Sequence, residues 1–225
     1  MTSTYGPNDV PRQRPPVRAA KPESPQRQHC IAVIGPSNPA RVARASGMPE
    51  EAYALAAYRV GELLAARGAR MVVVPDRGVA LDAMSGYLDA GGTDLIGLAP
   101  SSGVCEPAAR ESISANRDRC HAIVDDLSWY EQHSRIGAVS DAMICVGLSS
   151  GTLVEIAWTK WNPGPSIALV EGTCTALPPE LEAEVDAKVL PLVELNAWID
   201  AQPLTGIPIP RTIDPDVKEW IGGRS

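Results

Sequence analysis

Residues 146–158 read VGLSSGTLVEIAW. Ser149, Ser150 and Thr152 offer hydroxyl groups around Gly151, and Glu155 follows one helical turn later. An apolar run ends in this turn, and a helical pattern begins after it. A helix starting there presents unpaired N–H groups and the positive end of its dipole, and Gly151 lets backbone approach a ligand closely. That chemistry suits a phosphate. The same residues also suit a plain helix cap that needs no ligand. Glu155 has a different use. A carboxylate repels phosphate, so it must face another part of a ligand. Beside a sugar it can stabilise an oxocarbenium-like transition state or orient a water. A solvated or capping glutamate is the alternative.

Three more turns have similar chemistry. Gly35 and Ser37 lie in GPSNP (35–39), Arg77 and Gly78 in PDRGV (75–79), and two serines in PSSG (100–103). Arg77 would bring a positive charge to an anion. Each turn follows a short apolar run, which reads as a buried strand: 30–34, 71–75 and 94–100. Further runs at 121–126, 141–147 and 166–170 read the same way. Between them lie helical patterns. MPEEAYALAAYRVGELLAARGAR carries Ala52, Leu55, Ala56, Val60, Leu63 and Leu64 as an apolar stripe, with Pro49, Glu50 and Glu51 at its start and Gly68 as its stop. DRGVALDAMSGYLDAGG, YEQHSRIGAVS, GTLVEIAWTKW and LVELNAWID read as further helices. Residues 101–120 give no clear pattern and read as a loop free to cover a site.

Strands that are apolar throughout, alternating with helices, predict an α/β fold. The expected architecture is Rossmann-like and doubly wound, with a mainly parallel sheet of about six or seven strands flanked by helices. Ligands of such sheets sit beyond the C-terminal ends of the strands, where all four turns would gather.

Composition narrows the function. Of 225 residues, 44% are hydrophobic and 21% charged, with a net charge of -7. A surface of that sign repels nucleic acid and anionic lipid. No run approaches the length of a membrane span. Residues 1–28 are proline-rich, lack an apolar signal segment and read as a disordered tail, and residues 201–225 as a proline-rich extension around a 29–200 domain. A cytoplasmic location follows as the expectation. The five cysteines are irregularly spaced, and Cys30 and Cys145 read as buried small hydrophobes. His29, His121 and His133 form no recognisable ligand set, so no metal and no cofactor are expected. Trp129, Tyr130, Trp158 and Trp161 read as core or interface residues, with base stacking as the alternative.

The segment VVVPDRGVALDAMSGYLDAGGTDLIGLAP resembles the GGRGGVMEA…AGG…GILP pattern of the LOG-like (lysine-decarboxylase-like, SLOG Rossmann) proteins. SDAMICVGLSSGTLVE resembles that family's SDAxIALPGGxGTxxE. The likeness runs from residue 30 to 172. It implies that Ser149, Ser150, Gly151 and Thr152 hold phosphate and that Glu155 serves the ribose and the reaction. Where the family's hydrolases carry PGG, this chain has Gly147-Leu148-Ser149. Where they place an arginine upstream of the SDA aspartate, it has Gln132, with Arg135 about one helical turn later. The resemblance therefore puts Gln132, Arg135 and Glu155 forward as catalytic candidates.

Two functions stay open. One is hydrolysis of the N-glycosidic bond of a nucleoside 5'-monophosphate, as in the family's cytokinin-activating phosphoribohydrolases. The other is a non-catalytic nucleotide or molybdenum-cofactor (pterin) carrier or sensor on the same fold. Transfer of the base or sugar to an acceptor other than water is a third. In each, the partner is a small phosphorylated ligand, and the resemblance implies a homodimer built on the aromatic helix 152–161.

Overall fold

The computed structural model describes residues 28–103, 106–161, 164–174 and 176–204. The expected N-terminal tail, apart from residue 28, and the C-terminal extension beyond 204 lie outside the described residues.

Seven strands form one parallel sheet: β1 (Cys30–Ile34), β2 (Arg70–Val73), β3 (Leu95–Leu98), β4 (Ala122–Val124), β5 (Ala142–Cys145), β6 (Ser166–Val170) and β7 (Ala187–Leu190). The order is β4-β3-β2-β1-β5-β6-β7. Every residue of β1, β3 and β5 is buried. That is why these strands read as unbroken apolar runs, with no polar face to alternate. In β7 no residue is fully buried, as suits an edge.

The helices are α1 (Pro39–Ser46), α2 (Glu50–Ala66), α3 (Val79–Asp89), α4 (Pro107–Asn116), α5 (Glu131–Ala138), α6 (Ser150–Trp158), α7 (Pro179–Glu182) and α8 (Leu195–Asp200). They cover both faces of the sheet. One core joins Ile31, Val33, Met71 and Val73 to α2, α3 and α8 through Val60, Leu64, Met84 and Ile199. The other joins Ala32, Ile34, Met143 and Cys145 to α5 and α6 through Ile136 and Ile156. Alternate residues of a strand thus serve opposite cores. The chain winds one way from β1 and the other way from β5, so the gap between their ends is the switch point of the sheet.

α7 and β7 correspond to no run read from the sequence, and three further elements differ from the expectation. Residues 107–116 form α4, opened by Pro107 in its first turn, and a 3-10 turn follows at Arg117–Arg119. Only Ala109 and Ile113 of α4 are buried, too few to leave an apolar stripe. The GPSNP turn runs straight into α1, capped by Asn38 and closed by Gly47 in the left-handed region at φ 74°. The inward face of α2 carries Tyr53, Ala56, Ala57, Val60 and Leu64, whereas Leu55 is 60% exposed. The true stripe is turned toward Tyr53, whose hydroxyl meets Ser46 Oγ at 3.0 Å. No helix among the described residues is long and apolar enough to cross a membrane.

Candidate functional site

A cavity of about 630 Å³ opens at the switch point. Its walls come from the turns after β1, β2 and β5 and from the start of α5. Gly35, Ser37, Arg77, Ser149, Ser150, Gly151, Thr152, Gln132 and Glu155 all line it. Gly78 and Arg135 are not part of the lining. The PSSG turn borders a separate hollow of about 190 Å³ beside α4.

The β5–α6 turn is organised by two facts. Gly147 sits at φ 93°, where L side chains rarely go, and a Cβ there would lie 2.5 Å from the Tyr53 ring. The left-handed residue is therefore Gly147, and Leu148 follows without positive φ and lines the cavity. Next, Ser149 and Thr152 close a capping box. Thr152 Oγ1 accepts from Ser149 N at 2.6 Å and donates to Ser149 O at 2.9 Å, and Thr152 N donates to Ser149 Oγ at 3.3 Å. These two hydroxyl residues therefore hold each other. What they leave for a ligand is backbone: among the described residues nothing accepts from the Ser150 and Gly151 N–H groups. A Cβ on Gly151 would meet only Ser149 Oγ, at 3.8 Å, so the approach to these amides is open.

A second helix start faces the same space. Asn38 Oδ1 accepts from Arg41 N at 3.1 Å, which fixes the first turn of α1, and the Arg41 side chain borders the cavity. The β2–α3 turn is pressed onto this loop. Gly78 has φ 69°, and a Cβ there would lie 2.5 Å from Pro36 O. Gly78 thus acts by letting two loops touch. Arg77 lines the cavity and also bridges to Glu106, at the foot of α4, at 3.2 Å. Asp76 is buried and accepts from Arg77 N at 2.7 Å; burial pushes its carboxyl above the usual range, against the pull of those contacts.

The wall formed by α5 and α6 is different. Glu155 is 8% exposed, and its one side-chain hydrogen-bonding neighbour among the described residues is His133 Nδ1, at 3.3 Å. Burial raises the Glu155 carboxyl, and His133 partly offsets this. Gln132 is 1% exposed, and its Oε1 has no hydrogen-bond partner among the described residues. Trp129 stands edge-on to His133, with ring centroids 6.3 Å apart, and also lines the cavity. Arg135 points elsewhere on α5; its charge acts on Glu131, whose carboxyl is lowered first by its hydrogen bonds with Ser128. The aspartate of SDA, Asp141, is a structural clamp: it is buried, and its Oδ2 accepts from Cys30 N at 2.8 Å, tying β5 to β1.

Sequence reasoning missed Asn38, Arg41, Asp76 and His133 as cavity residues. Asn-Pro before a helix is a cap signature that could have revealed α1 and, with it, Arg41. His133 carries no such signal, because its partner lies 22 residues away on another helix.

Comparison with solved structures supports the fold. The molybdenum cofactor carrier protein of Chlamydomonas reinhardtii superimposes with a TM-score of 0.55 at 21% identity, over 77% of this chain and 97% of that one. The molybdenum cofactor binding protein of the phototrophic bacterium Rippkaea orientalis gives 0.55 at 22% identity, over 78% and 97%. DNA processing protein A of Helicobacter pylori, described as binding single-stranded DNA, gives 0.55 at 15% identity, over 78% and 82%. No curated protein matches the sequence. A family model does match, over residues 28–190, which include every wall of the cavity. The chain belongs to the SLOG cluster4 family.

Proposed function

We propose that this protein binds a small phosphorylated, nucleotide-like ligand at the β1–β5 switch point. The phosphate lies against the Ser150 and Gly151 amides and the Arg41 and Arg77 guanidinium groups. The rest of the ligand faces Gln132, His133 and Glu155. One observation carries the reading: two helix starts and two arginines converge on a single cavity that also holds a buried carboxylate. Isothermal titration with nucleoside 5'-monophosphates and the matching nucleosides tests it. Binding of the phosphorylated forms and at least tenfold weaker binding of the nucleosides supports the reading. Equal affinity, or none, rejects it.

Hydrolysis of the N-glycosidic bond is the finer proposal. In it the Glu155 carboxylate faces the ribose, where it stabilises positive charge on the sugar and orients a water for attack. His133 holds that carboxylate in place. Release of free base by the native chain, lost in Glu155→Gln with binding retained, is the expected result. A carrier or sensor is the second reading, favoured by the neutral Gln132 on the wall beside Glu155. It predicts a ligand that copurifies and emerges unchanged. The homodimer also remains a proposal. Val154, Trp158 and Trp161 are 44%, 41% and 65% exposed on and just after α6, an apolar surface suited to a second copy. Light scattering coupled to size exclusion tests it. With a net charge of -7, nucleic acid is not proposed as a partner.

A further inference from the structure

On the wall of α5, the cavity is lined by a residue with a buried polar atom that has no partner among the described residues. Gln132 is 1% exposed and lines the cavity, yet its Oε1 accepts no hydrogen bond from any described residue. Buried carbonyl oxygens almost always have a donor, and leaving one without is costly. An amide oxygen can be satisfied only by an N–H or O–H group. Its surroundings favour one kind. The Glu155 carboxylate on α6 already offers acceptors for sugar hydroxyl groups. Trp129, on the same stretch as Gln132, also lines the cavity. An aromatic face beside an amide edge is how a planar heterocycle is held and read: the ring stacks, and the amide reads its edge.

We infer that Gln132 sets ligand specificity by accepting a hydrogen bond from an amino group on the ligand's heterocyclic ring. The inference rests on the phosphorylated-ligand reading above. It selects within that class: a ring bearing an exocyclic amine is bound, and the same ring without one is rejected.

Titration calorimetry with four ligands tests this: adenosine 5'-monophosphate, its 2'-deoxy form, purine riboside 5'-monophosphate, which differs from the first only in lacking the amino group, and ribose 5-phosphate. Each is measured against the native chain and Gln132→Met, a near match in shape without the amide. The native chain is expected to bind both adenine nucleotides at least about tenfold more tightly than the purine nucleotide. Gln132→Met is expected to bind all three alike, at the level of the native chain with purine. Its unliganded Tm should rise by a few degrees, because an unpartnered polar atom has gone. Equal native affinity for the adenine and purine nucleotides overturns the inference and leaves the phosphate reading standing. A native preference that survives Gln132→Met overturns it too. If the substitution weakens adenosine 5'-monophosphate but not its 2'-deoxy form, or weakens ribose 5-phosphate equally, then Gln132 reads the sugar and the inference fails. No binding by any of the four overturns the phosphate reading and this inference together.

Discussion

The two walls of the cavity treat their polar atoms in opposite ways. On the loop wall, Ser149 and Thr152 satisfy each other and Asn38 caps α1, so the side chains are settled and the backbone faces the space. On the wall of α5 and α6, among the described residues, the Glu155 carboxylate has a single hydrogen-bonding neighbour and Gln132 Oε1 none. The first wall is a rigid frame whose polarity comes from fixed dipoles, which suits an anion of fixed shape. The second carries buried polar groups at a cost to stability, and such costs persist in proteins where a ligand or a reaction makes use of them. The loop wall thus supports itself, whereas the wall of α5 and α6 holds polar groups that the fold alone leaves under-partnered among the described residues.

Substitutions can break this contrast, beginning with the loop wall. Gly147→Ala forces a side chain into positive φ and against Tyr53. Strain of about 1–2 kcal/mol and overpacking of about 1–3 kcal/mol predict a loss of roughly 3 kcal/mol, read by urea denaturation. A loss below about 1 kcal/mol would mean the turn is not held as described. Arg41→Ala and Arg77→Ala should each weaken nucleoside monophosphate binding about tenfold, or ~1.4 kcal/mol, while the melting curve barely moves. Arg77 is expected to show the smaller change, because Glu106 competes for it. Ser149→Ala should cost about 1 kcal/mol of stability through the lost cap.

The opposite wall should respond with the opposite sign. The folded-state pKa of Glu155 is raised by burial, so the folded chain holds this proton more tightly than the unfolded one. Its contribution to stability is therefore full below the usual carboxylate value and is lost as pH rises through the folded value. Glu155→Gln should raise Tm at pH 7, and its advantage should shrink as the pH falls toward 4.5. Asp76 is raised in the same direction and remains in both proteins, so only the difference between the two melting curves isolates Glu155. A native chain that melts higher than Glu155→Gln at pH 7 would show that His133 more than repairs the burial.

The two walls are legible in the sequence in different ways: the loop wall by its turns, the wall of α5 and α6 by Gln132 and Glu155, which the family resemblance marks. The turns at 35–38, 76–78 and 147–152 follow strands buried on both faces, so apolar runs mark where they begin and Gly or Ser marks the bend. The seven-strand parallel sheet could be anticipated on the same grounds, except for β7. That strand is an edge, partly exposed throughout, and its four residues carry no apolar run. The second wall depends on how α5 packs against α6. Gln132, His133 and Glu155 meet only because Ile136 and Ile156 share a core, and nothing in a linear pattern reports that packing. Arg135 is a candidate because the resemblance expects an arginine about one turn earlier on the same helix, and its place on α5 leaves it out of the cavity lining. Thr152 was a candidate donor, but its hydroxyl serves the helix cap. Sequence chemistry names a group, and only packing says what is left over for a ligand.

Whether the Ser150 and Gly151 amides receive an anion is decided by where a bound phosphate sits. In crystals soaked with adenosine 5'-monophosphate, the phosphate is expected within hydrogen-bonding distance of both N–H groups, with the ring toward Gln132. A phosphate bound elsewhere, with the mouth of α6 filled by Leu148, would contradict the anion site.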